Sequence, residues 1–203
     1  MKNSTVVLDN GSHTIKLGFA DDENSLVKLN TPGRFDQNFS NIDDKVFRLW
    51  EEGFSEKLAV DHCDRDGIII SRSLNQSEEE SGKIIEQVFE KSGFRKAFLA
   101  NAAVLSLIHS GTETGLMVDL GHRQIDIVPV YIGFPVPKGN TSLKLGGYDL
   151  TKALRNSFEA VEGLSMEEAN EIKERICCIL QNENDLTNSE NSSYQLQNGK
   201  VYI

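Results

Sequence analysis

The chain has 203 residues, a formal net charge of −10 and 38% hydrophobic residues. This length is sufficient to bury the core of one large domain or two small ones, and the acidic balance argues against nucleic acid as a partner because phosphate contacts need clustered lysine and arginine. The apolar runs fall short of eighteen residues, so the sequence predicts no membrane-spanning helix, and an acidic surface disfavours direct binding to anionic membranes.

The first part of the chain predicts three strands followed by a helix. The strands are expected at 5–9, 14–20 and 26–29, and the first two form a hairpin. The helix is expected at 43–58, because apolar side chains recur there every four residues and mark one buried face. The members of that face are Val46, Trp50, Phe54 and Leu58.

Helices and strands then alternate as far as residue 109. Ser77 and Glu80 form a capping box, and Gly93 can end the helix that this box begins. The elements expected here are a strand at 67–71, a helix at 77–92, a strand at 97–99 and a helix at 101–109. Hairpins followed by this alternation are typical of an α/β fold with a mixed sheet.

The remaining part of the chain begins with a second hairpin, within residues 116–131. A further helix is opened by a second capping box, between Ser165 and Glu168. The other elements expected are a strand at 143–145, a helix at 146–158 and a strand at 200–203. The recurrence of the hairpin indicates a fold with duplicated halves.

The chain contains three cysteines, Cys63, Cys177 and Cys178. An odd number without paired spacing argues against a disulfide framework and against metal ligation. Because Cys177 and Cys178 lie within an apolar run predicted to be helical, and free cysteines are mostly buried, we expect at least one of this adjacent pair to lie in the core.

Both hairpins turn through the sequence Asp-x-Gly. The first copy is VVLDNGSHTIKLGFA, residues 6–20, and the second is LMVDLGHRQIDIVPVY, residues 116–131. Gly11 and Gly121 admit backbone conformations closed to other residues and let peptide N–H groups approach an anion. One such turn alone is ordinary hairpin chemistry, whereas two turns with matching flanks indicate a site that holds the phosphates of a nucleotide.

Two carboxylates and one lysine accompany these turns. Asp9 and Asp119 cannot bind phosphate themselves, but they suit a hydrated Mg²⁺ ion, which keeps its waters and takes few carboxylates. Lys16 lies on the second strand of the first hairpin, where its ammonium group can reach a phosphate as a point charge. These residue types predict a cleft that clamps a nucleoside triphosphate together with its metal.

Several motifs, in the same order along the chain, resemble those of the actin family. LDNGSHTIKLGFADDE is similar to the first phosphate loop of actins, and NAAVLSLIHSGTETGLMVDLG is similar to the helix and strand that lead to the second. The later blocks VPVYIGF, LKLGGYDLTKAL, EIKERICCIL and SSYQLQNGKVYI also match. The resemblance covers nearly the whole chain, but only about the first two thirds of an actin, so the C-terminal part is missing.

The resemblance implies an actin-like (ribonuclease-H-like) α/β fold with duplicated halves and mixed sheets. Residues 1–112 would form the first half, and residues 113–203 the incomplete start of the second. Residues 30–42 stand in place of most of the family's second subdomain, so that subdomain is expected to be largely deleted.

The resemblance also implies ATP or ADP with Mg²⁺ as the cofactor, bound weakly if the chain is a fragment. It assigns Asp9 and Asp119 to the metal, through water. It assigns seven residues to nucleotide binding, from the two phosphate loops and from a pair that would touch the adenine and the ribose. These residues are Asp9, Gly11, Ser12 and Lys16, then Gly121, then Lys173 and Glu174.

Two departures from the family pattern bear on catalysis. Actins place a glutamine that positions the attacking water where this chain has Ala102, which offers no side-chain hydrogen bond, and the neighbouring Asn101 is a weak substitute. The second loop reads DLGHR, so Arg123 replaces a glycine and adds a positive charge whose partner, phosphate or carboxylate, stays open. We therefore expect a nucleotide binder without efficient ATP hydrolysis.

One branch of the family, the pointed-end actin-related protein of dynactin, is similar in its shortened second subdomain and in the pattern of its second loop. The resemblance implies a cytoplasmic, cytoskeletal subunit that caps the dynactin mini-filament and supports dynein-based transport. Its partners would be the actin-related filament subunit and the pointed-end subunits of dynactin. The alternatives are a nuclear actin-related subunit of a chromatin-remodelling complex and an active kinase or ATPase on the same fold, which Ala102 argues against.

Overall fold

The computed structural model describes residues 5–36, 42–158, 164–178, 194–195 and 201–202. The chain divides into two compact units, Met1–Leu145 and Gly146–Ile203. No helix in the described ranges is long and apolar enough to cross a membrane. The division into halves at residue 112 stays a prediction of the resemblance.

The first unit contains a five-stranded mixed sheet. Its strands are β1 (Val6–Asn10), β2 (Thr14–Phe19), β3 (Asp22–Asn30), β4 (Gly67–Arg72) and β5 (Lys96–Asn101). The order across the sheet is β3-β2-β1-β4-β5. β1, β2 and β3 pair antiparallel as a meander, whereas β4 and β5 run parallel to β1. This arrangement confirms the predicted α/β fold with a mixed sheet.

The first helix, α1 (Asp44–Glu52), ends earlier than the sequence predicts. The chain continues as a π-helical turn at Gly53–Lys57, so the predicted helix at 43–58 is present but changes its hydrogen-bonding pattern after Glu52. A side chain at Gly53 would bring its Cβ within 2.6 Å of the Leu17 side chain on β2. Glycine at residue 53 therefore leaves the space between helix and sheet that the Leu17 side chain fills. The apolar face predicted for this segment forms the core against the sheet.

The second helix, α2 (Glu78–Glu86), begins at the predicted capping box. The Ser77 side chain accepts a hydrogen bond from the Glu80 backbone N–H at 3.1 Å, and the Glu80 carboxylate accepts one from the Ser77 N–H at 2.7 Å. A π-helical turn, Gln87–Lys91, follows, and Gly93 has a left-handed conformation with φ of +72°. The predicted start of this helix and the end at Gly93 are both confirmed.

A second, antiparallel sheet follows helix α3 (Ala102–His109). Its strands are β6 (Gly115–Leu120), β7 (Ile125–Tyr131), β8 (Phe134–Pro135) and β9 (Thr141–Leu143). Ala103 and Leu107 of α3 pack with Val128 and Val130 of β7 in one apolar cluster. The strand predicted at 143–145 is shifted towards the N-terminus, because the Leu145 N–H bonds the Leu143 carbonyl at 2.8 Å and turns the chain away.

The second unit contains two helices, α4 (Gly147–Ser157) and α5 (Met166–Ile176). Ser165 caps α5 through the predicted capping box with Glu168. Leu164, Ala169 and Ile172 form its small apolar core. The predicted final strand is β11 (Val201–Tyr202), which pairs antiparallel with β10 (Tyr194–Gln195).

The expectation of a buried cysteine is wrong. Cys63, Cys177 and Cys178 are all free thiols with exposed positions. α5 ends at Ile176, so the adjacent pair lies beyond the helix and outside its apolar face. The sequence predicts that the helix continues through Cys177 and Cys178, whereas α5 ends immediately before them.

Candidate functional site

The first unit contains a cleft of about 560 Å³ between the two Asp-x-Gly turns. The turn after β1 lines one side and the turn after β6 lines the other. The ends of β4 and β5 and the start of α3 complete the wall. Five of the predicted site residues line this cleft: Asp9, Gly11, Ser12 and Lys16 from the first hairpin, and Gly121 from the second. Asp119, predicted for the metal, lines it as well.

Both carboxylate oxygens of Asp9 are bonded to side chains of neighbouring strands. Asp9 and Lys16 lie opposite each other in the β1–β2 ladder, and the Lys16 ammonium reaches Oδ2 of Asp9 at 3.1 Å. Ser71, at the end of β4, donates to Oδ1 of Asp9 at 2.6 Å. Ser71 was missed by sequence reasoning, because only the parallel pairing of β1 with β4 brings its hydroxyl to this carboxylate.

The first turn is also fixed to the core of the sheet and helix. The indole N–H of Trp50, which is fully buried, donates to the Asn10 side-chain oxygen at 3.2 Å. A Cβ atom at Gly11 would approach the Thr14 carbonyl oxygen to 2.4 Å, so this turn requires glycine. The Trp50 face of α1 therefore supports the turn as well as the core.

The second turn places two acidic residues opposite each other. Asp119 and Asp126 are partners in the β6–β7 ladder. The carboxylate of Asp119 lines the cleft, and partial desolvation raises its pKa above the ordinary value, with repulsion from Asp126 and Asp9 adding to the effect and Lys16 opposing it. The two carboxylates predicted to hold the metal are therefore close enough to repel each other across the cleft, which is an arrangement that a divalent cation would relieve.

A short segment links the two turns, and we call residues Thr31–Asp36 the strap. At its start, the Thr31 hydroxyl donates to the Gly11 carbonyl at 2.8 Å and the Thr31 N–H donates to the His13 carbonyl at 3.0 Å. These bonds attach the strap to the first turn. The strap makes up most of the described part of residues 30–42, which the sequence predicts to stand in place of the second subdomain.

The second turn binds the other end of the strap. The Arg123 Nη2 group donates to the carbonyl oxygen of Arg34 at 2.7 Å and also to the carbonyl oxygen of Asp36. His122 Nε2 lies 2.9 Å from the same Arg34 oxygen and, since a carbonyl can only accept, serves as the donor. Arg123, whose partner the sequence left open, therefore bonds to the backbone of the strap.

Three aromatic rings meet where the strap crosses the turns. The ring centroids of His13 and His122 are 4.6 Å apart, and the Phe35 ring stands edge-on to both at 5.8 Å. Sequence reasoning noted His122 without giving it a role and missed His13 and Phe35. The only signal available was a histidine just past the glycine in each turn.

Asn101 and Ala102 lie at the start of α3. The Asn101 side-chain oxygen accepts the backbone N–H groups of Ala103 at 3.0 Å and Val104 at 3.3 Å. This side chain is therefore used as the N-cap of the helix. Ala102 is the first helical residue and lines the cleft with a methyl group.

Lys173 and Glu174, predicted for the adenine and ribose, lie on α5 in the second unit. The Lys173 ammonium donates to the Gly147 carbonyl at 3.1 Å, to Thr151 Oγ1 at 2.8 Å and to the Asn170 side-chain oxygen at 2.9 Å. Desolvation lowers the pKa of Lys173. Within this unit the lysine joins α4 to α5, while Glu174 accepts the amide of Asn170 at 2.8 Å.

Few side chains in the cleft could bind a metal ion directly. Across the part of the chain that the structure describes, no group of three or more histidine, cysteine, aspartate or glutamate side chains could bind an ion together. A cation between Asp9 and Asp119 would thus depend on water and on its own ligand's oxygens, as Mg²⁺ characteristically does.

The family model and the relatives that match this chain all belong to one family. The model of the actin family matches residues 38–202, which include the second turn and Ala102 but not the first turn. Actin-related protein 2 of Acanthamoeba castellanii is 32% identical over 150 residues, which cover 68% of this chain and 38% of the relative. Actin-related protein 2 of Oryza sativa subsp. indica is 30% identical over 141 residues, or 67% of this chain and 36% of the relative.

A third relative matches over more of the chain. Centractin of Saccharomyces cerevisiae is 24% identical over 222 residues, which cover 89% of this chain and 57% of the relative. The chain thus spans between 36% and 57% of the length of these relatives. With a family model that matches most of its residues and an α/β fold of mixed and antiparallel sheets, the chain belongs to the actin family and is similar to its actin-related proteins.

Proposed function

We propose that this chain is a non-catalytic actin-related subunit that binds ATP or ADP with Mg²⁺ and caps the pointed end of the dynactin mini-filament. Asp9 and Asp119 would hold Mg²⁺ through water. Gly11, Ser12, Lys16 and Gly121 would contact the phosphates, and Lys173 and Glu174 the adenine and ribose. Bound Mg²⁺ would supply the positive charge that offsets both the phosphates and the two carboxylates.

The cleft supports the nucleotide part of this proposal. Its volume of about 560 Å³ falls within the range of small-molecule sites, roughly 300–1,000 Å³. It combines two glycine turns with a lysine and with two mutually repelling carboxylates, Asp9 and Asp119. An anion and a divalent cation together complement this mixture of charges better than either would alone.

Equilibrium binding of ATP and ADP with Mg²⁺, measured by isothermal titration calorimetry, tests the nucleotide site. The double variant Lys16→Ala with Asp119→Ala should lose binding, whereas Lys83→Ala, an exposed lysine on α2, should keep it. Tight binding that survives the double variant would remove the site from this cleft.

The observation that carries the non-catalytic assignment is Ala102 at the edge of the cleft, beside an Asn101 amide that caps α3. Ala102 has no side-chain group that could position an attacking water, and the Asn101 side-chain oxygen is already used as the helix cap. We expect ATP turnover well below the ~1 per second of an ordinary enzyme. Steady hydrolysis at or above that rate, measured as phosphate release, would instead favour an active ATPase.

The strap supports the capping assignment. An actin-like molecule in which residues 30–42 stand in place of a subdomain has a reduced surface on that side and can join a filament at one end only. The likeness to centractin, an actin-related protein, covers 89% of this chain. The second-loop pattern DLGHR is similar to that of the pointed-end branch. We expect one partner surface for an actin-related filament subunit and another for pointed-end subunits, in the cytoplasm and cytoskeleton.

Affinity purification of the tagged chain, followed by mass spectrometry, tests the assembly. Recovery of the actin-related filament subunit and the pointed-end subunits of dynactin, absent from a tag-only control, supports the capping role. Recovery of chromatin-remodelling subunits without dynactin would assign the chain to the nuclear alternative.

A further inference from the structure

We infer that His13 and His122 close the phosphate end of the cleft, so that the site prefers a nucleoside diphosphate to a triphosphate. This inference rests on the proposed nucleotide function and concerns which nucleotide that site accepts.

The two histidines occupy the space between the glycine turns. His13 follows Gly11 by two positions, and His122 follows Gly121 directly. Their ring centroids are 4.6 Å apart and the ring planes are tilted by 48°, a separation typical of rings in contact. Both residues also line the cleft. A phosphate group that sought N–H groups from both turns at once would have to displace these rings.

The rings are held in place from the outside by the strap. Phe35 stands edge-on to both, with interplanar angles of 68° and 71°. His122 Nε2 is bonded to the Arg34 carbonyl, and the backbone of His13 accepts the N–H of Thr31. Phe35 therefore contacts both rings, and the bond from His122 to Arg34 attaches one of them directly to the strap. Opening the gap between the turns therefore requires release of the strap.

The remaining part of the cleft keeps what a diphosphate needs. Lys16, Asp9 and Asp119 line the cleft as well, and Ser71 holds Asp9 in position. Arg123 could in principle attract a third phosphate, but its Nη2 group is bonded to the carbonyl oxygens of Arg34 and Asp36. Arg123 is therefore directed at the strap, so the rings rather than this charge determine what the gap between the turns admits.

The test is calorimetric titration of the 203-residue chain with ADP and with ATP, each with Mg²⁺. The same titrations are repeated on the double variant His13→Gly with His122→Gly. The control is His109→Ala, an exposed histidine at the end of α3, outside the cleft lining. Thermal unfolding of each variant establishes that it is folded.

We expect the wild-type chain to bind ADP at least about tenfold more tightly than ATP, a readily resolved difference in free energy. The double variant should gain ATP affinity until the preference disappears, while its ADP affinity changes little. His109→Ala should retain the wild-type preference.

Equal or tighter binding of ATP by the wild-type chain would overturn the inference and leave the nucleotide site intact. This comparison needs no variant and so decides the matter even if the double variant fails to fold. An unchanged preference in a folded double variant would also overturn it. Absence of binding of either nucleotide to the wild-type chain would contradict the proposed nucleotide function, and the inference with it.

Discussion

Arg123 and Arg34 are joined by a hydrogen bond of 2.7 Å from Nη2 of Arg123 to the carbonyl oxygen of Arg34, across 89 positions of the sequence. The same group donates to the Asp36 carbonyl, so one guanidinium holds two points of the strap. Arg123 therefore ties the second turn to the strap at two backbone positions.

Arg123→Ala should release the strap without unfolding the sheets. Hydrogen bonds to a charged group contribute about 1.5–3 kcal/mol, so amide exchange in the strap should accelerate roughly tenfold to a hundredfold. Hydrogen–deuterium exchange with mass spectrometry of peptides covering residues 31–36 measures this. Arg155→Ala, which removes an arginine–carbonyl bond to Leu164 in the second unit, is the control. Unchanged exchange in Arg123→Ala would show that the strap is held by other contacts.

Glu51→Gln should destabilise the first unit far more than Glu78→Gln. Glu51 accepts from Arg65 at 2.8 Å, and the Arg65 side chain is only 1% exposed, so neutralising the acid leaves a buried charge without its counter-ion. Breaking such a pair costs about 3–5 kcal/mol. Glu78, with an 88% exposed side chain, pairs with Arg72 at the surface, where a salt bridge contributes at most about 1 kcal/mol.

Urea denaturation of both glutamine variants measures the two free energies of unfolding. The Arg65 guanidinium also lies over the rings of Phe54 and Phe94, at 5.2 and 5.6 Å, which ties this charge to the core. Equal losses in the two variants would indicate that these rings and the other acceptors of Arg65 compensate its charge without Glu51.

Asp119→Asn should raise the thermal unfolding midpoint at neutral pH in the absence of Mg²⁺. Folding raises the pKa of Asp119, so its ionised carboxylate costs stability above the folded pKa. That cost disappears as the pH falls below the ordinary value of 3.8, because the group is then protonated in both states. The advantage of the variant should therefore shrink towards acid pH.

Thermal melts between neutral and acid pH, with the exposed Asp61→Asn as the control, test this prediction. Addition of Mg²⁺ with ADP should reverse the order, since it stabilises only the chain that keeps the carboxylate. A variant that melts below the wild-type chain without Mg²⁺ would contradict the proposed repulsion among Asp119, Asp126 and Asp9.

Asn101→Ala should remove the N-cap of α3. The two N–H groups that its side chain accepts would lose their partner, at a cost of about 1 kcal/mol in the free energy of unfolding. Asn101→Asp keeps an acceptor oxygen and should cost less. Urea denaturation distinguishes the two, and equal stability of the alanine variant and the wild-type chain would argue that the cap contributes nothing.

The sequence by itself determined the features that depend on neighbouring residues. The capping boxes at Ser77 and Ser165 are where their spacing predicts, because a cap involves groups three positions apart. The buried face of the Trp50 helix follows from the helical period, and the mixed sheet follows from the order of hairpins and βα units. The turns at Gly11 and Gly121 were recognisable because their chemistry is confined to a few residues.

Only the tertiary structure decided which distant groups meet. Ser71 reaches Asp9 because β4 runs parallel to β1, and Arg123 reaches the strap because the chain crosses from one turn to the other. The contact between His13 and His122 has the same origin. Such contacts depend on strand pairing and on the path of a loop, neither of which leaves a periodic trace in the sequence. For the same reason the partner of Arg123 stayed open until the fold brought the Arg34 carbonyl beside it.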